Sequence, residues 1–354
     1  MLFPLESFSH FNDNNSSHLG QEYLINDASQ VSPVHTVNSS GSSTNTTTSP
    51  RAPTPTLVSS AGSNLEIDLV WDSSVSSAPS GFTQAIVDAA TYYTTLFTSS
   101  TGGKEIINID VGYGEIAGST LASNALGESE SYGYLTNYST VTHALGSDGY
   151  SFSAKNEPTS SQFFVTSAQA KTLGLISGTS TAVDGFIGFS SLSGTGDTWN
   201  MTANPNGSNS GTGANQFDFQ AVVQHEISEV MGRIGMEGAI INGKATYTPL
   251  DLFNFKSTGV LELSGAGGYF SNNDGLTHLG IYNNATKYSG DIADWASYSS
   301  VTQSGTLPQG APTNVSDSYD AFLAPGYNGF VSPDDILEDA ALGYKLTATG
   351  IADA

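Results

Sequence analysis

The stretch QHEISEVMGR, residues 224–233, predicts the most informative helix of the chain. On a helix, His225 and Glu229 lie four residues apart on one face, so both side chains can reach one metal ion. Glu226 lies about 100° around the helix from His225, close enough to contact a water molecule held by that ion. The spacing therefore indicates a candidate metal centre with an acid beside it.

This spacing is that of the His-Glu-x-x-His motif, in which both histidines bind zinc and the glutamate acts as general base. Glu229 replaces the second histidine here, and a carboxylate is itself a zinc ligand at about 2.0–2.2 Å. A second anionic ligand lowers the positive charge that the metal presents to its water, so we expect slower catalysis or a different metal. The alternative is that Glu226 and Glu229 are exposed helix acids and that His225 is a surface or core histidine.

Capping signals define the ends of this helix and of one near the C-terminus. Asp218 is a plausible N-cap for the first helix, and Gly232 stands where it would stop. In SPDDILEDAALG, Ser332 stands at the N-cap, Pro333 at the first helical position and Gly343 just past the end. Both segments are therefore predicted to be helices.

Before these helices the chain predicts a strand, a helix and a second strand. Alternating apolar residues in NLEIDLVW (64–71) and EIINIDVGYG (105–114) indicate strands. Between them, FTQAIVDAATYYTTLF (82–97) has apolar residues at three- and four-residue steps, as in an amphipathic helix. Short connections imply a right-handed βαβ unit with two parallel strands.

The remaining segments are less regular. Residues 1–63 include a Ser/Thr/Pro-rich tract and are expected to form a disordered leader. Residues 114–160 are polar and rich in glycine and serine, and they predict no element. SAQAKTLGL (167–175) predicts a short helix, and VDGFIGFSS (183–191) predicts a strand.

Length, charge and composition exclude several classes of protein. With 354 residues the chain can form one large domain or two small ones. Its formal net charge of −24 disfavours nucleic-acid and anionic-membrane partners, because both need a basic surface. It has no cysteine, which excludes disulfides and cysteine-ligated metals. No apolar run approaches the roughly 20 residues of a membrane span. The first residues also lack the features of a Sec signal peptide, so we expect any export to use another signal.

Several segments besides the central helix resemble a family of bacterial exported metalloprotease-like proteins related in pattern to the metzincins. They are LVWDSSVSSAPSGF, INIDVGYGEI, ALGES, TPLDLFNF, GGYFS and GDIADWAS. The resemblance implies an α+β, zincin-like (metzincin-like) catalytic domain over 64–354, with a twisted mixed sheet, an active-site helix and a C-terminal helix. By similarity to serralysin-type domains, 183–191 would be the edge strand that pairs with a peptide substrate. The resemblance also implies a secreted protein that binds zinc and hydrolyses peptide bonds.

The chain departs from the metzincin pattern at two ligand positions. A metzincin continues as His-Glu-x-x-His-x-x-Gly-x-x-His, whereas this chain has Glu229 and Gly235 at the second and third ligand positions. Because Gly235 has no side chain, a third ligand must come from elsewhere. Asp251 is the first candidate, and a cap or turn acid is its alternative role. His278 is the second candidate, with a solvated loop histidine as the alternative.

Other chemistries have weaker signals. The chain has no Gly-x-Ser-x-Gly elbow of the α/β-hydrolases. Asp291 and Asp294 form an acid pair whose spacing is common outside glycoside hydrolases, and SNNDG (271–275) suits either a turn or part of a calcium loop.

The predicted function is hydrolysis of a peptide or protein substrate, with Glu226 as general base and His225, Glu229 and Asp251 as zinc ligands. Calcium is a candidate structural ion. The alternative is an inactive exported protein, structural or adhesive, on the same scaffold. The missing third histidine favours that alternative, and the presence of Glu226 disfavours it. Neither the substrate nor the oligomeric state follows from the sequence.

Overall fold

A computed structural model describes residues 3–4, 22–25, 54–147, 149–152, 157–159, 161–202, 204–206, 211–288, 290–296 and 315–354. These residues form a mixed α/β structure, which agrees with the expected α+β class at that coarse level. None of its helices is long and apolar enough to cross a membrane. The α-helices are α1 (Phe82–Leu96), α2 (Tyr138–Ser147), α3 (Ser167–Thr172), α4 (Phe219–Met231), α5 (Pro333–Ala341) and α6 (Ala348–Asp353). Two short 3-10 helices span Ser73–Ser77 and Leu250–Phe253.

The strands are mostly short, and the longest ones form the centre of the molecule. In chain order they are β1 (Phe3–Pro4), β2 (Glu22–Ile25), β3 (Thr56–Ser59), β4 (Leu65–Trp71), β5 (Phe97–Thr98), β6 (Glu105–Tyr113), β7 (Gly127–Thr136), β8 (Ser161–Thr166), β9 (Gly185–Phe189), β10 (Thr198–Asn200), β11 (Gln216–Asp218), β12 (Ala239–Ile241), β13 (Lys244–Tyr247), β14 (Asn254–Ser257), β15 (Val260–Leu261), β16 (Gly268–Phe270), β17 (Ile281–Tyr282), β18 (Val315–Asp317), β19 (Phe322–Leu323), β20 (Asn328–Phe330) and β21 (Lys345–Leu346).

A mixed sheet of nine strands organises the fold. Its main path follows the order β12-β13-β8-β7-β9-β6-β4-β3, and β2 pairs with β7. β4 is parallel to β6 and β6 to β9, whereas β7 is antiparallel to both β9 and β8. The predicted parallel pair joined by α1 is therefore confirmed. A separate four-stranded sheet has the order β15-β14-β16-β17.

The predicted amphipathic patterns explain how α1 and α4 come to share the core. In β4, alternate residues from Leu65 to Trp71 are buried, so one face of the strand points into the core. α1 contributes buried Ala85 and Ile86, and its Phe82 packs against Phe219 of α4 with ring centroids 5.2 Å apart. This packing holds α4 in the interior.

The expectation that 183–191 forms the edge strand is wrong. β9 lies inside the sheet between β6 and β7. Its Ile187 and Phe189 are fully buried, and Gly188 allows a close approach, since a Cβ there would lie 2.4 Å from the Glu115 carbonyl oxygen. The physical reason for the error is β7, which covers this side of β9 although its sequence does not alternate as a strand usually does.

β7 is a buried strand made largely of polar residues. Glu128, Ser129, Glu130 and Ser131 are each at most 2% exposed. Buried polar groups need partners, and Glu128 accepts a hydrogen bond from the Ala122 amide at 2.5 Å. Residues 114–160 thus contain a central strand where their composition predicts no element.

Most of the expected leader, residues 1–63, lies outside the described residues. The described parts are β1, β2 and the chain from residue 54 onward, and β3 pairs with β4 in an antiparallel register. Val58 of β3 is 5% exposed and belongs to the main core. The folded unit therefore extends before residue 64, at least to Thr56.

The helices predicted from capping signals are confirmed. The Asp218 side chain accepts hydrogen bonds from two amides in the first turn of α4, and Gly232 ends the helix with φ of 125°. In α5, the Ser332 side chain and the Asp335 carboxylate each accept a hydrogen bond from the other's backbone amide. Pro333 occupies the first turn, where its missing N–H has no helical partner to lose.

Candidate metal centre

α4 runs through the interior of the protein, and every residue from Phe219 to Met231 is buried. Tyr93 of α1 donates a hydrogen bond to the Gln224 carbonyl at 2.8 Å. A Cβ at Gly127 of β7 would lie 2.4 Å from Glu226 Oε1, so the strand approaches the helix closely at a glycine. The polar residues of α4 are therefore enclosed, and the interpretation of its acids as exposed is wrong.

Three side chains converge at this helix: His225, Glu229 and Asp294. His225 Nε2 lies 3.1 Å from Glu229 Oε1 and 3.2 Å from Asp294 Oδ1. The three ligand atoms all lie within 4.8 Å of one another, and the three side chains are at most 1% exposed. Two ligands of a tetrahedral zinc ion, each about 2.1 Å from it, are separated by about 3.4 Å. The donor atoms are therefore of the types that bind a divalent metal, and the two distances from His225 Nε2 are close to that separation.

The hydrogen bond made by His225 Nδ1 determines the protonation of the ring, whose other nitrogen, Nε2, faces the carboxylates. Nδ1 lies 2.8 Å from the Ser318 carbonyl oxygen, which can only accept a hydrogen bond, so Nδ1 carries a proton. Nε2 then has two possible states. If it is protonated, it donates a hydrogen bond to Glu229 or Asp294, and if it is not, its lone pair can bind a metal. Metal-binding histidines commonly donate their other N–H to a backbone carbonyl in this way.

Arg233 brings a second positive charge to the same carboxylates. Its Nη1 lies 2.7 Å from Asp294 Oδ1, and its Nη2 lies 3.5 Å from Glu229 Oε1. Its Nε donates to Ser228 Oγ at 2.8 Å, and the guanidinium carbon lies 4.4 Å from the Tyr319 ring centroid. A fully buried guanidinium is costly without partners, so Arg233 and the two acids hold one another in place.

These charges perturb one another. Burial opposes a charge on His225, but the carboxylates of Asp294 and Glu229 outweigh it and raise the pKa of His225 well above its ordinary value. Burial also opposes a charge on Asp294, yet His225 and Arg233 hold the pKa of Asp294 below its ordinary value. Without a metal, an imidazolium and a guanidinium thus balance two carboxylates.

Glu226 lies beside this group in a different environment. Neither of its carboxyl oxygens accepts a hydrogen bond from the described donors, and the side chain is fully buried. Burial, and then the charge of Glu229, raise the pKa of Glu226 well above its ordinary value. Glu229, by contrast, accepts a hydrogen bond from Ser129 at 2.7 Å. A buried acid with a perturbed pKa next to a metal-type group is a candidate for proton transfer.

Buried acids of α5 connect the C-terminal helix to Arg233. Each of three acids accepts a hydrogen bond from an aromatic donor, and one of these donors, Tyr319, lies under the Arg233 guanidinium. The aromatic shell thus joins α5 to the centre. The bonds are Trp295 Nε1 to Asp335 (2.6 Å), Tyr282 Oη to Glu338 (2.6 Å) and Tyr319 Oη to Asp339 (2.7 Å).

Asp251, the predicted third ligand, does not join His225 and Glu229. Its Oδ2 accepts hydrogen bonds from the backbone amides of Thr248 at 2.8 Å, Glu237 at 3.1 Å and Met236 at 3.3 Å. Several backbone donors on one oxygen are typical of a turn-capping acid, the alternative role of Asp251.

His278 and Asp294 also differ from their sequence-based roles. His278 is exposed and stacks on Tyr269 with ring centroids 3.6 Å apart, away from the three donors. Asp294 belongs to the acid pair considered for glycoside chemistry, yet it completes the group on α4. The signal that points to it is its position between Ala293 and Trp295, where an apolar context requires a buried acid to have a partner.

Comparisons of the chain with protein-family models, with curated proteins and with solved structures found no match. The chemistry of the centre is therefore inferred from its own geometry.

Proposed function

We propose that this protein is an exported metal-dependent endopeptidase, with zinc held by His225, Glu229 and Asp294. The convergence of one imidazole nitrogen and two carboxylate oxygens within 4.8 Å carries the proposal. Catalytic zinc sites normally use three protein ligands and keep one position open, and nitrogen and oxygen donors both suit zinc. The choice of peptide substrate and the proposal of export follow from the family resemblance of the surrounding segments.

Arg233 offsets the negative charge that two carboxylate ligands bring to the metal centre. One neutral imidazole and two carboxylates cancel the charge of a divalent ion, which would leave a bound water weakly acidic. The Arg233 guanidinium, 2.7 Å from Asp294, contributes a further positive charge. The centre then has the same net charge as a zinc ion held by two histidines and one glutamate.

Glu226 is the general base of the proposed reaction. A divalent metal would supply Lewis-acid activation of water and of the scissile carbonyl. The Glu226 carboxylate takes a proton from the attacking water and later delivers it to the leaving amine. The position of Glu226 supports this role, because its buried carboxyl group lies beside His225 and Glu229, the proposed metal ligands.

The burial of the centre favours a second candidate function. His225, Glu226 and Glu229 are at most 1% exposed, so a peptide reaches them only if covering residues move. Without a metal, the charges of Arg233 and protonated His225 balance those of Glu229 and Asp294 and link distant parts of the chain. In this second candidate the protein is a non-catalytic exported structural or adhesive protein.

Metal analysis and proteolysis assays on matched variants separate the two functions. Wild-type protein purified without chelator should contain about one zinc ion per chain and cleave an unfolded protein substrate. His225→Ala should lose the metal. Glu226→Gln should keep both metal and fold while hydrolysis falls by about 10²–10⁴-fold.

The outcomes against the proposal are distinct. Folded wild-type protein that binds no zinc even when zinc is added would refute the metal centre. Zinc bound by wild type and by Glu226→Gln, with hydrolysis in neither, would support the non-catalytic function.

A further inference from the structure

A second group of oxygen atoms lies beyond the end of α4, in Glu237, Asn254 and Glu262. Asn254 Nδ2 donates a hydrogen bond to Glu237 Oε1 at 2.8 Å. The Glu262 amide donates to the Asn254 carbonyl oxygen at 2.9 Å. Asn254 therefore lies between two acidic residues, and Asp251 caps the adjacent turn through the Glu237 amide at 3.1 Å.

Two buried oxygens of this group have no partner among the described residues. Asn254 is 3% exposed, and its Oδ1 accepts no hydrogen bond. Glu237 Oε2 is likewise buried without a donor. Native structures rarely leave such oxygens unsatisfied, so a water molecule or a cation is expected to contact them.

The group is also rich in acidic side chains. None of the ion pairs found in the described part of the chain includes Glu237, Asp251 or Glu262. Burial raises the pKa of Glu237 to about 9, and the negative charge of Asp251 adds to the shift. A bound cation would favour the ionised form of Glu237, because its positive charge offsets the negative charge of the neighbouring acids.

Two glycines lie next to the unsatisfied oxygens. A Cβ at Gly268 would lie 2.1 Å from Asn254 Oδ1 and 3.1 Å from Glu262 Cβ. A Cβ at Gly265 would lie 3.2 Å from Glu237 Oε2. Asn254 Oδ1 and Glu262 Cβ are therefore both close to one point beside Gly268, and Glu237 Oε2 lies close to Gly265.

We propose that Glu237, Asn254 and Glu262 form a calcium-binding site, completed by water. Calcium binds six to eight oxygen ligands from carboxylates, amide carbonyls and water, at about 2.3–2.6 Å. The group offers oxygen ligands and no imidazole, which favours calcium over zinc. Glu237 precedes β12 of the main sheet, and Asn254 begins β14 of the four-stranded sheet. A bound calcium ion would therefore join the two sheets, independently of the His225 centre.

Calcium titration of the full chain, after chelation and reloading with zinc, tests this proposal. Calcium should raise the unfolding temperature of the wild type. It should also displace terbium bound to the protein and so reduce the terbium luminescence. Glu237→Gln and Glu262→Gln should each weaken calcium binding by about tenfold or more, because ligand charge sets calcium affinity. Asp88→Asn is the matched control, since it removes one charge from an exposed position on α1 and should bind calcium as the wild type does.

The Asn254→Asp variant separates a calcium ligand from an amide with a purely structural role. The added acid should lower the unfolding temperature without calcium, because the group already contains several buried acids. It should increase calcium affinity, because an amide ligand becomes a carboxylate. Loss of stability with no gain in affinity would overturn the proposal. An unfolding temperature of the wild type that millimolar calcium leaves unchanged, or a calcium effect retained in both glutamine variants, would overturn it as well.

Discussion

Replacing Asp294 by asparagine changes one charge at the centre and almost no volume. Asp294 Oδ1 lies 2.7 Å from Arg233 Nη1 and 3.2 Å from His225 Nε2, and all three side chains are at most 1% exposed. Removing one partner of a buried ion pair costs about 3–5 kcal/mol, because the remaining charge is left uncompensated. That loss is a large part of the roughly 5–15 kcal/mol by which proteins are stable.

Urea unfolding in the presence of a chelator measures this cost. Tryptophan fluorescence is a suitable signal, because Trp71, Trp199 and Trp295 are buried in the folded protein. Asp294→Asn should lower the free energy of unfolding by about 3 kcal/mol or more while the dependence on urea stays the same. Asp291→Asn is the matched control, since it makes the same chemical change outside the three donors.

Zinc provides an independent measurement on the same variants. If Asp294 is a ligand, zinc at about 100 times its dissociation constant should stabilise the wild type by about 2.7 kcal/mol and Asp294→Asn by much less. Wild-type stability of Asp294→Asn in chelator would refute the ion-pair argument. An unchanged zinc increment in that variant would refute the ligand role, whatever the result in chelator.

Two further predictions concern acids near the centre. Asp251→Ala should destabilise the protein by about 3 kcal/mol or more, because the amides of Met236, Glu237 and Thr248 lose their acceptor. The variant should keep its zinc content, and a loss of zinc from the folded variant would contradict the assignment of Asp251 as a turn-capping acid. Glu226→Gln should stabilise the metal-free protein increasingly as pH rises above about 4.3, the ordinary glutamate pKa. Because the pKa of Glu226 is raised in the folded state, the wild type loses stability as pH rises above that ordinary value. Parallel curves of stability against pH for the wild type and Glu226→Gln would contradict this prediction.

Local signals explain which elements the sequence predicts well. The ends of α4 and α5 follow from Asp218, Gly232, Ser332 and Pro333, because capping interactions join residues within one turn of each other. The alternation in β4 and β6 likewise reports which face of a strand is buried, whatever the strand packs against.

β7 shows why the order of strands is harder to predict. Its buried residues Glu128, Ser129, Glu130 and Ser131 remove the alternation of apolar and polar residues that marks a strand. The partner of Ser129 is Glu229, 100 residues further along the chain, so nothing near Ser129 shows that burial is tolerated. Because the sequence pattern does not predict β7, nothing in it contradicts the edge position that the family resemblance implies for β9.

The same division applies to the centre. His225 and Glu229 are predictable together, because four residues on a helix bring them to one face. The position of Asp294 depends on how a distant segment packs against α4, and the Ser318 contact uses a backbone carbonyl that every residue has. Arg233 is visible in the sequence, but its role depends on its contacts with Glu229 and Asp294.

The long-range contacts of the centre also determine when it can form. It draws on Ser129 of β7, on Asp294, on the Ser318 carbonyl and, through Tyr319, on Asp339. Contacts so widely separated along the chain form late in folding, because the intervening loops must close first. A chain still being synthesised can form α4 but lacks the groups that orient His225. Under the proposed function, hydrolysis is therefore delayed until the whole fold is assembled, and this delay requires no inhibitory segment.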